Sequence, residues 1–152
     1  MLSILKSLAF RLTGSRADPD SAMFSQPALP ELHPIPNGYA RVHVFWGDFD
    51  SENDALAYCH GTGQENNPAP LTRDMPDAFI DPTFVEINRD ADIKSVLQWL
   101  DRDGKVETNV DASAMGNTLI LIYEDAFGGL PYRLGYTDRV AYAAAWLIRK
   151  RK

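Results

Sequence analysis

A chain of 152 residues, 45% hydrophobic and 11% aromatic, carries enough apolar side chains for one core of ordinary size. Its formal charge of −6 argues against a general affinity for nucleic acid, which rests on neutralising phosphates with lysine and arginine. The single cysteine, Cys59, excludes an internal disulfide and a multi-cysteine zinc site and fits a reducing cytoplasm.

At the start of the chain Leu2, Leu5, Leu8, Ala9 and Leu12 recur at helical spacing with Lys6 and Arg11 off the stripe, which predicts a short amphipathic helix. Every apolar run is broken by charge before the ~18 residues of a membrane span. The segment also lacks the arrangement of a secretory signal, so the expectation is a cytoplasmic protein with no stable membrane insertion. Pro19, Pro27, Pro30, Pro34 and Pro36 then mark an extended connector. Residues 1–37 are thus expected to be helix and connector, and residues 38–152 a globular domain.

Within that domain, Arg41 to Trp46 alternates and is rich in valine and aromatics, which predicts a strand, and Ser51 to Tyr58 predicts a helix. The interval from His60 to Pro82, with its glycines, asparagines and prolines, reads as a long loop. Thr83 to Ile87 is expected to be a short strand. Asp90 to Leu100 is expected to be a helix with Ile93, Val96, Leu97 and Leu100 on one face, stopped at Asp103-Gly104. Another polar loop follows. TLILIY, Thr118 to Tyr123, shows no alternation and predicts a central strand covered on both faces. Tyr132 to Tyr136 reads as a weaker strand, and Thr137 as the cap of a last helix burying Val140, Ala141, Ala144, Leu147 and Ile148, with Arg149 to Lys152 at its carboxyl end. The fold class is therefore α/β or α+β: a small mixed sheet of about four strands flanked by helices in a single domain.

The stretch VHVFWGDFDSEND runs from a strand through Gly47 into four carboxylates, Asp48, Asp50, Glu52 and Asp54. Ser51 followed by Asp54 approximates a capping box, and Glu52 and Asp54 suit the positive end of a helix. Asp48 and Asp50 need another account. Two carboxylates at that spacing suit a hard cation or acid–base chemistry, with His43 as a third member, in a hydrolase or metal-dependent enzyme. The competing account is a solvated turn, and the helix begins too soon for a calcium loop. Cys59 and His60 are adjacent, so their side chains diverge on a helix. No phosphate loop, nucleophile elbow, dinucleotide fingerprint or His-Glu-x-x-His motif occurs. The expectation is no catalytic residue, no metal ligand and no cofactor.

Charge distribution is more informative. Between Val42 and Asp92 eleven acidic residues face two basic ones, Arg73 and Arg89, a net of −9. Such a segment can steer a basic partner, with Trp46, Phe49, Tyr58, Phe79 and Phe84 as aromatic anchors where exposed. The expected partner-binding residues are Asp48, Phe49, Asp50, Glu52, Asp54, Asp74, Asp77, Asp81 and Glu86, with Phe49 the first choice of anchor. A solvated acidic face with no partner is the alternative.

VHVFWGDFDSENDALAY, DAFIDPTFVEIN and NTLILIYEDAF followed by LGY, from about Arg41 to Tyr136, resemble a family of bacterial immunity proteins from polymorphic-toxin systems. The resemblance rests on the aromatic-x-Gly-x-Phe-x-Ser turn at Trp46 to Ser51, the Phe-x-Glu segment at Phe84 to Glu86, and Asn117-Thr118. The chain departs from the pattern in its proline-rich extension, its terminal helix and its less acidic Asp81-Pro82-Thr83. The resemblance implies a cytoplasmic, non-enzymatic inhibitor whose partner is a cognate toxin domain with a basic active-site surface, engaged by protein–protein interaction. An adaptor with no inhibitory role is a further alternative, and oligomeric state is left open.

Overall fold

The computed structural model describes residues 32–62, 68–109 and 116–151. The expected amphipathic helix and all but the end of the connector lie outside the described residues. Five strands, β1 (Tyr39–Gly47), β2 (Val85–Arg89), β3 (Gly104–Asn109), β4 (Thr118–Tyr123) and β5 (Val140–Arg149), form one sheet in the order β2-β4-β1-β5-β3. Three helices, α1 (Glu52–His60), α2 (Pro70–Asp74) and α3 (Ala91–Asp103), complete the α/β architecture. The expected class holds, but the sheet is antiparallel at every pairing rather than mixed, and it has five strands rather than about four.

The pleat sends alternate side chains to opposite faces, and both faces are covered. Phe45, Ile120, Ile122 and Tyr142 meet Ala55, Tyr58 and Cys59 of α1 and Leu71 of α2. Val42, Val44, Leu119 and Leu121 meet Leu100 of α3, with Ile93, Val96 and Leu97 packed alongside. Ile120 and Leu121 are both 0% exposed, which is why β4 lacks alternation. Ser51 caps α1 through a bond from the Asp54 amide to its Oγ, 3.0 Å, as the sequence suggests.

Besides α2, which forms inside the expected His60–Pro82 loop, three segments differ from expectation. The expected last helix is β5: its alanines favour a helix, but β1 and β3 each offer it a complete backbone ladder, and tertiary pairing overrides propensity. Arg149 to Arg151 therefore do not lie at a helix end. Tyr132 to Tyr136 forms no strand, because Tyr132 is drawn inward by its hydroxyl. Gly104 to Asn109, expected to be loop, is β3.

Two irregularities aim side chains. The β1–β5 register shifts between Val44 and Phe45, and the β3–β5 register between Val106 and Thr108. The second leaves Glu107 as the extra residue of a bulge, turned toward β1. At Gly116 a Cβ would lie 2.1 Å from the Gly47 carbonyl oxygen, so only glycine lets the chain enter β4 here. Among the described residues no helix is long and apolar enough to cross a membrane.

Candidate binding surface

Beneath the loops that follow β4 lies a buried polar cluster that periodicity does not reveal. Arg41 on β1 binds Glu107 in two places, Nε to Oε2 and Nη2 to Oε1, both 2.7 Å, with side chains 6% and 8% exposed. Its Nη2 also donates to the His33 carbonyl, and Nη1 stands 3.8 Å from Glu124. The Glu107 bond raises the guanidinium pKa, so Arg41 stays charged.

Two residues along β1, His43 is wholly buried, its Nε2 2.8 Å from the Tyr132 hydroxyl and its Nδ1 3.1 Å from that of Tyr142. Tyr132 donates to Glu124 Oε2 at 2.7 Å, so its hydroxyl oxygen accepts from His43. That assigns the proton to Nε2 and leaves Nδ1 to accept from Tyr142, a continuous chain from Tyr142 to Glu124. Burial pushes the His43 pKa down against the upward pull of Glu124, which keeps the ring neutral. Burial raises Glu124, but the neighbouring His43 ring 3.8 Å away, the bond from Tyr132 and the charge of Arg41 outweigh it and hold the carboxyl below its usual range. Burial pushes the Tyr142 hydroxyl up to about 12.

This cluster fixes the segment above it. Glu124–Phe127 is a 3₁₀ turn, and Phe127 stacks on Tyr132 with ring centroids 3.6 Å apart and planes 10° from parallel. The segment from Met75 to Phe84 is tied to it by the Asp81 amide to the Ala126 carbonyl, 2.8 Å, and the Arg133 amide to the Asp77 carbonyl, 3.0 Å. The tied loops present Phe79, 57% exposed, and Leu130, 56% exposed. Phe79 lies against Gly128, where an added Cβ would sit 3.7 Å from its ring. The carboxylates Asp77, Asp81 and Asp125 belong to the same two segments, and Phe84, 37% exposed, follows on a 3₁₀ turn capped by Asp81.

The expected partner-binding residues do not form one face. Asp48, Asp50, Glu52 and Asp54 follow Gly47, which pairs with Thr118 at the start of β4. Asp77 and Asp81 are tied to the segment after Tyr123, which pairs with Val42. Five residues of strand, roughly 17 Å, separate the two groups. Asp74 lies at α2, where it accepts from the Tyr58 hydroxyl at 2.7 Å. Glu86 is on the opposite side of the sheet, paired in register with Leu121 and bonded by Tyr123 at 2.9 Å.

Phe49, the expected anchor, is a core residue, 2% exposed. Asn117 grips its backbone, accepting from the amide at 3.0 Å and donating to the carbonyl at 2.8 Å. Arg139, from the turn before β5, covers its ring at 4.7 Å and binds Asp54 at 2.9 Å. The acidic turn is therefore partly neutralised by a residue outside the segment counted as −9.

His43 does not join Asp48 and Asp50: it lies four residues before Gly47, roughly 13 Å along the strand. Among the described residues no group of three His, Cys, Asp or Glu side chains is placed to hold a metal. Burial pushes the Cys59 thiol up to about 12, which suppresses the thiolate, while His60 turns away to the Val85 carbonyl at 2.9 Å.

Leu130, Asp125, Glu124 and Tyr132 were missed by sequence reasoning. The signal for Leu130 is its place in Gly128-Gly129-Leu130-Pro131, an apolar residue between turn formers, which puts it at a loop tip. No family model, curated protein or solved structure matches the chain.

Proposed function

We propose that the chain is an immunity protein, a cytoplasmic non-catalytic inhibitor that binds a cognate toxin domain through an acidic surface and covers its basic active site. The observation that carries this reading is the exposed pair Phe79 and Leu130, accompanied by Asp77, Asp81 and Asp125 on loops locked from beneath. Two apolar anchors beside three carboxylates and the single cation Arg133 suit a protein partner of opposite sign, the anchors slowing dissociation and the carboxylates speeding encounter. Loops already fixed by Tyr132, Phe127 and the Asp81 amide lose little conformational freedom on docking.

Two motif segments 68 residues apart, Trp46 to Ser51 and Asn117-Thr118, meet where Asn117 clamps Phe49. These motifs hold the fold, and we therefore take the loops around Phe79, rather than the acidic turn, as the contact surface.

The test is co-expression with the toxin domain encoded by the neighbouring reading frame, together with binding kinetics. Phe79→Ser with Leu130→Ser should leave melting unchanged and raise the off-rate at least tenfold, since each anchor is worth about 2 kcal/mol at a hot spot. Neutralising Asp77, Asp81 and Asp125 should instead lower the on-rate and its salt dependence. Full protection by a folded Phe79→Asp/Leu130→Asp variant would refute the reading.

A further inference from the structure

A groove of about 700 Å³ opens where β1 begins, β5 ends and α3 passes into β3. Its walls include five cations, Arg102, Lys105, Arg149, Lys150 and Arg151, against one carboxylate, Asp103. A third of the 15 lysines and arginines of an acidic chain thus converge on one concavity. Neither helix-end charge nor ion pairing accounts for them. Arg149 ends β5 rather than a helix, Lys150 and Arg151 follow it, and the pair Arg102–Asp103, 3.1 Å, occupies the only acid lining the groove among the described residues. The end of α3 adds about half a negative charge, too little to balance the remaining four cations.

Two rings complete the lining, Tyr39 and Trp99, both half-buried. Lys105 Nζ stands 5.0 Å from the Tyr39 ring centre, and Tyr39 pairs in register with Arg149 across β1 and β5, so cations and rings sit side by side. Clustered cations match clustered phosphates, aromatic faces match a flat heterocycle, and the volume lies in the range of small-ligand sites.

We infer that this groove binds a nucleoside polyphosphate, its phosphates among Lys105, Arg149, Lys150 and Arg151 and its base against Tyr39 or Trp99. A small ligand is favoured over a nucleic-acid strand by reach. Within a screening length of ~8 Å the local cations dominate, whereas a polymer leaving the groove meets the field of a chain whose net charge is −6. The site is separate from the Phe79 surface and stands whether or not that surface binds a toxin.

Calorimetric titration of the full chain, without divalent metal, compares ATP, inorganic tripolyphosphate and adenosine. ATP should bind saturably at one site, tripolyphosphate at least fivefold more weakly, and adenosine not measurably. Lys105→Glu with Arg151→Glu, both exposed, should preserve melting and weaken ATP at least tenfold. The comparison of ATP with tripolyphosphate reads the base without any variant, and Tyr39→Leu should narrow that gap. Absence of saturable ATP binding, or ATP affinity indifferent to the charge reversals, would overturn the inference. Equal affinity for ATP and tripolyphosphate would remove the base from it, and a single-stranded oligonucleotide binding more than tenfold tighter than ATP would reassign the groove to a polymer.

Discussion

The buried pair Arg41–Glu107 sets the stability of the layer that supports the Phe79 surface, and Glu107→Gln perturbs it with almost no change of shape. The substitution leaves a guanidinium, 6% exposed, facing a neutral amide. Breaking one side of a buried pair costs about 3–5 kcal/mol. The His33 carbonyl and Glu124 at 3.8 Å still face Arg41, so the loss should fall near the lower end, about 3 kcal/mol by the same rule. Arg41→Met strands the Glu107 carboxylate and should cost a similar amount. The double variant Arg41→Met/Glu107→Leu removes both charges, and replacing a buried pair by apolar groups is often neutral or stabilising, so it should be more stable than either single. Urea denaturation followed by tryptophan fluorescence gives the three values. Against a total of about 5–15 kcal/mol expected of a domain, each single should shift the midpoint clearly. Additive losses, or singles costing under about 1 kcal/mol, would show that the pair is solvated and the reasoning wrong.

Stability should fall as pH drops from 7 to 5. The folded pKa of His43 is depressed by burial, so below about 6.5 the unfolded chain takes up a proton that the folded chain refuses. The stability present above that value is lost by up to about 1.4 kcal/mol per pH unit, and His43→Gln should flatten the decline in a melting series; a wild-type profile already flat there would refute neutral burial. Phe49→Ala should cost about 3–5 kcal/mol in urea denaturation while Phe79→Ala stays within about 0.5, the reverse of what an exposed acidic-turn anchor requires. Ile120→Asp and Leu121→Asp, on opposite faces of β4, should each abolish the cooperative melting transition, and tolerance of one would show its face open to water.

The elements legible in the sequence were those whose pattern and neighbours agree. β4 carries an unbroken aliphatic run because it is buried on both faces, α1 has its serine cap, and α3 has a stripe that ends where Gly104 begins a strand. β5 was illegible because alanine says little about environment. Its three consecutive alanines, Ala143 to Ala145, suit a helix, and what makes them strand is pairing with β1 and β3, which no local window contains. β3 was hidden for a related reason: at a sheet edge, GKVETN keeps a half-exposed, polar sequence. The polar cluster was hidden most deeply, since Arg41, His43, Glu107, Glu124 and Tyr132 come from three separate stretches and meet only through the sheet and a bulge.

The −9 counted from Val42 to Asp92 shows how far a segment's charge is from a surface's. An antiparallel chain visits one end of the sheet and then the other, so consecutive acidic residues are dealt alternately to two poles. The turn from Asp48 to Asp54 lies beyond the end of β1, whereas Asp77, Asp81 and Asp125 lie beside its first half, roughly 17 Å back along the strand. That distance is about two screening lengths at physiological salt, so the first group contributes little field at the second. Arg139 reduces it further by pairing with Asp54. Under the proposed function, a basic partner docked on Phe79 and Leu130 would therefore be steered by the three carboxylates on those loops. The pair Asp48 and Asp50, prominent in sequence, follows a clamped and arginine-covered Phe49, a position that serves the fold's turn more than its binding surface.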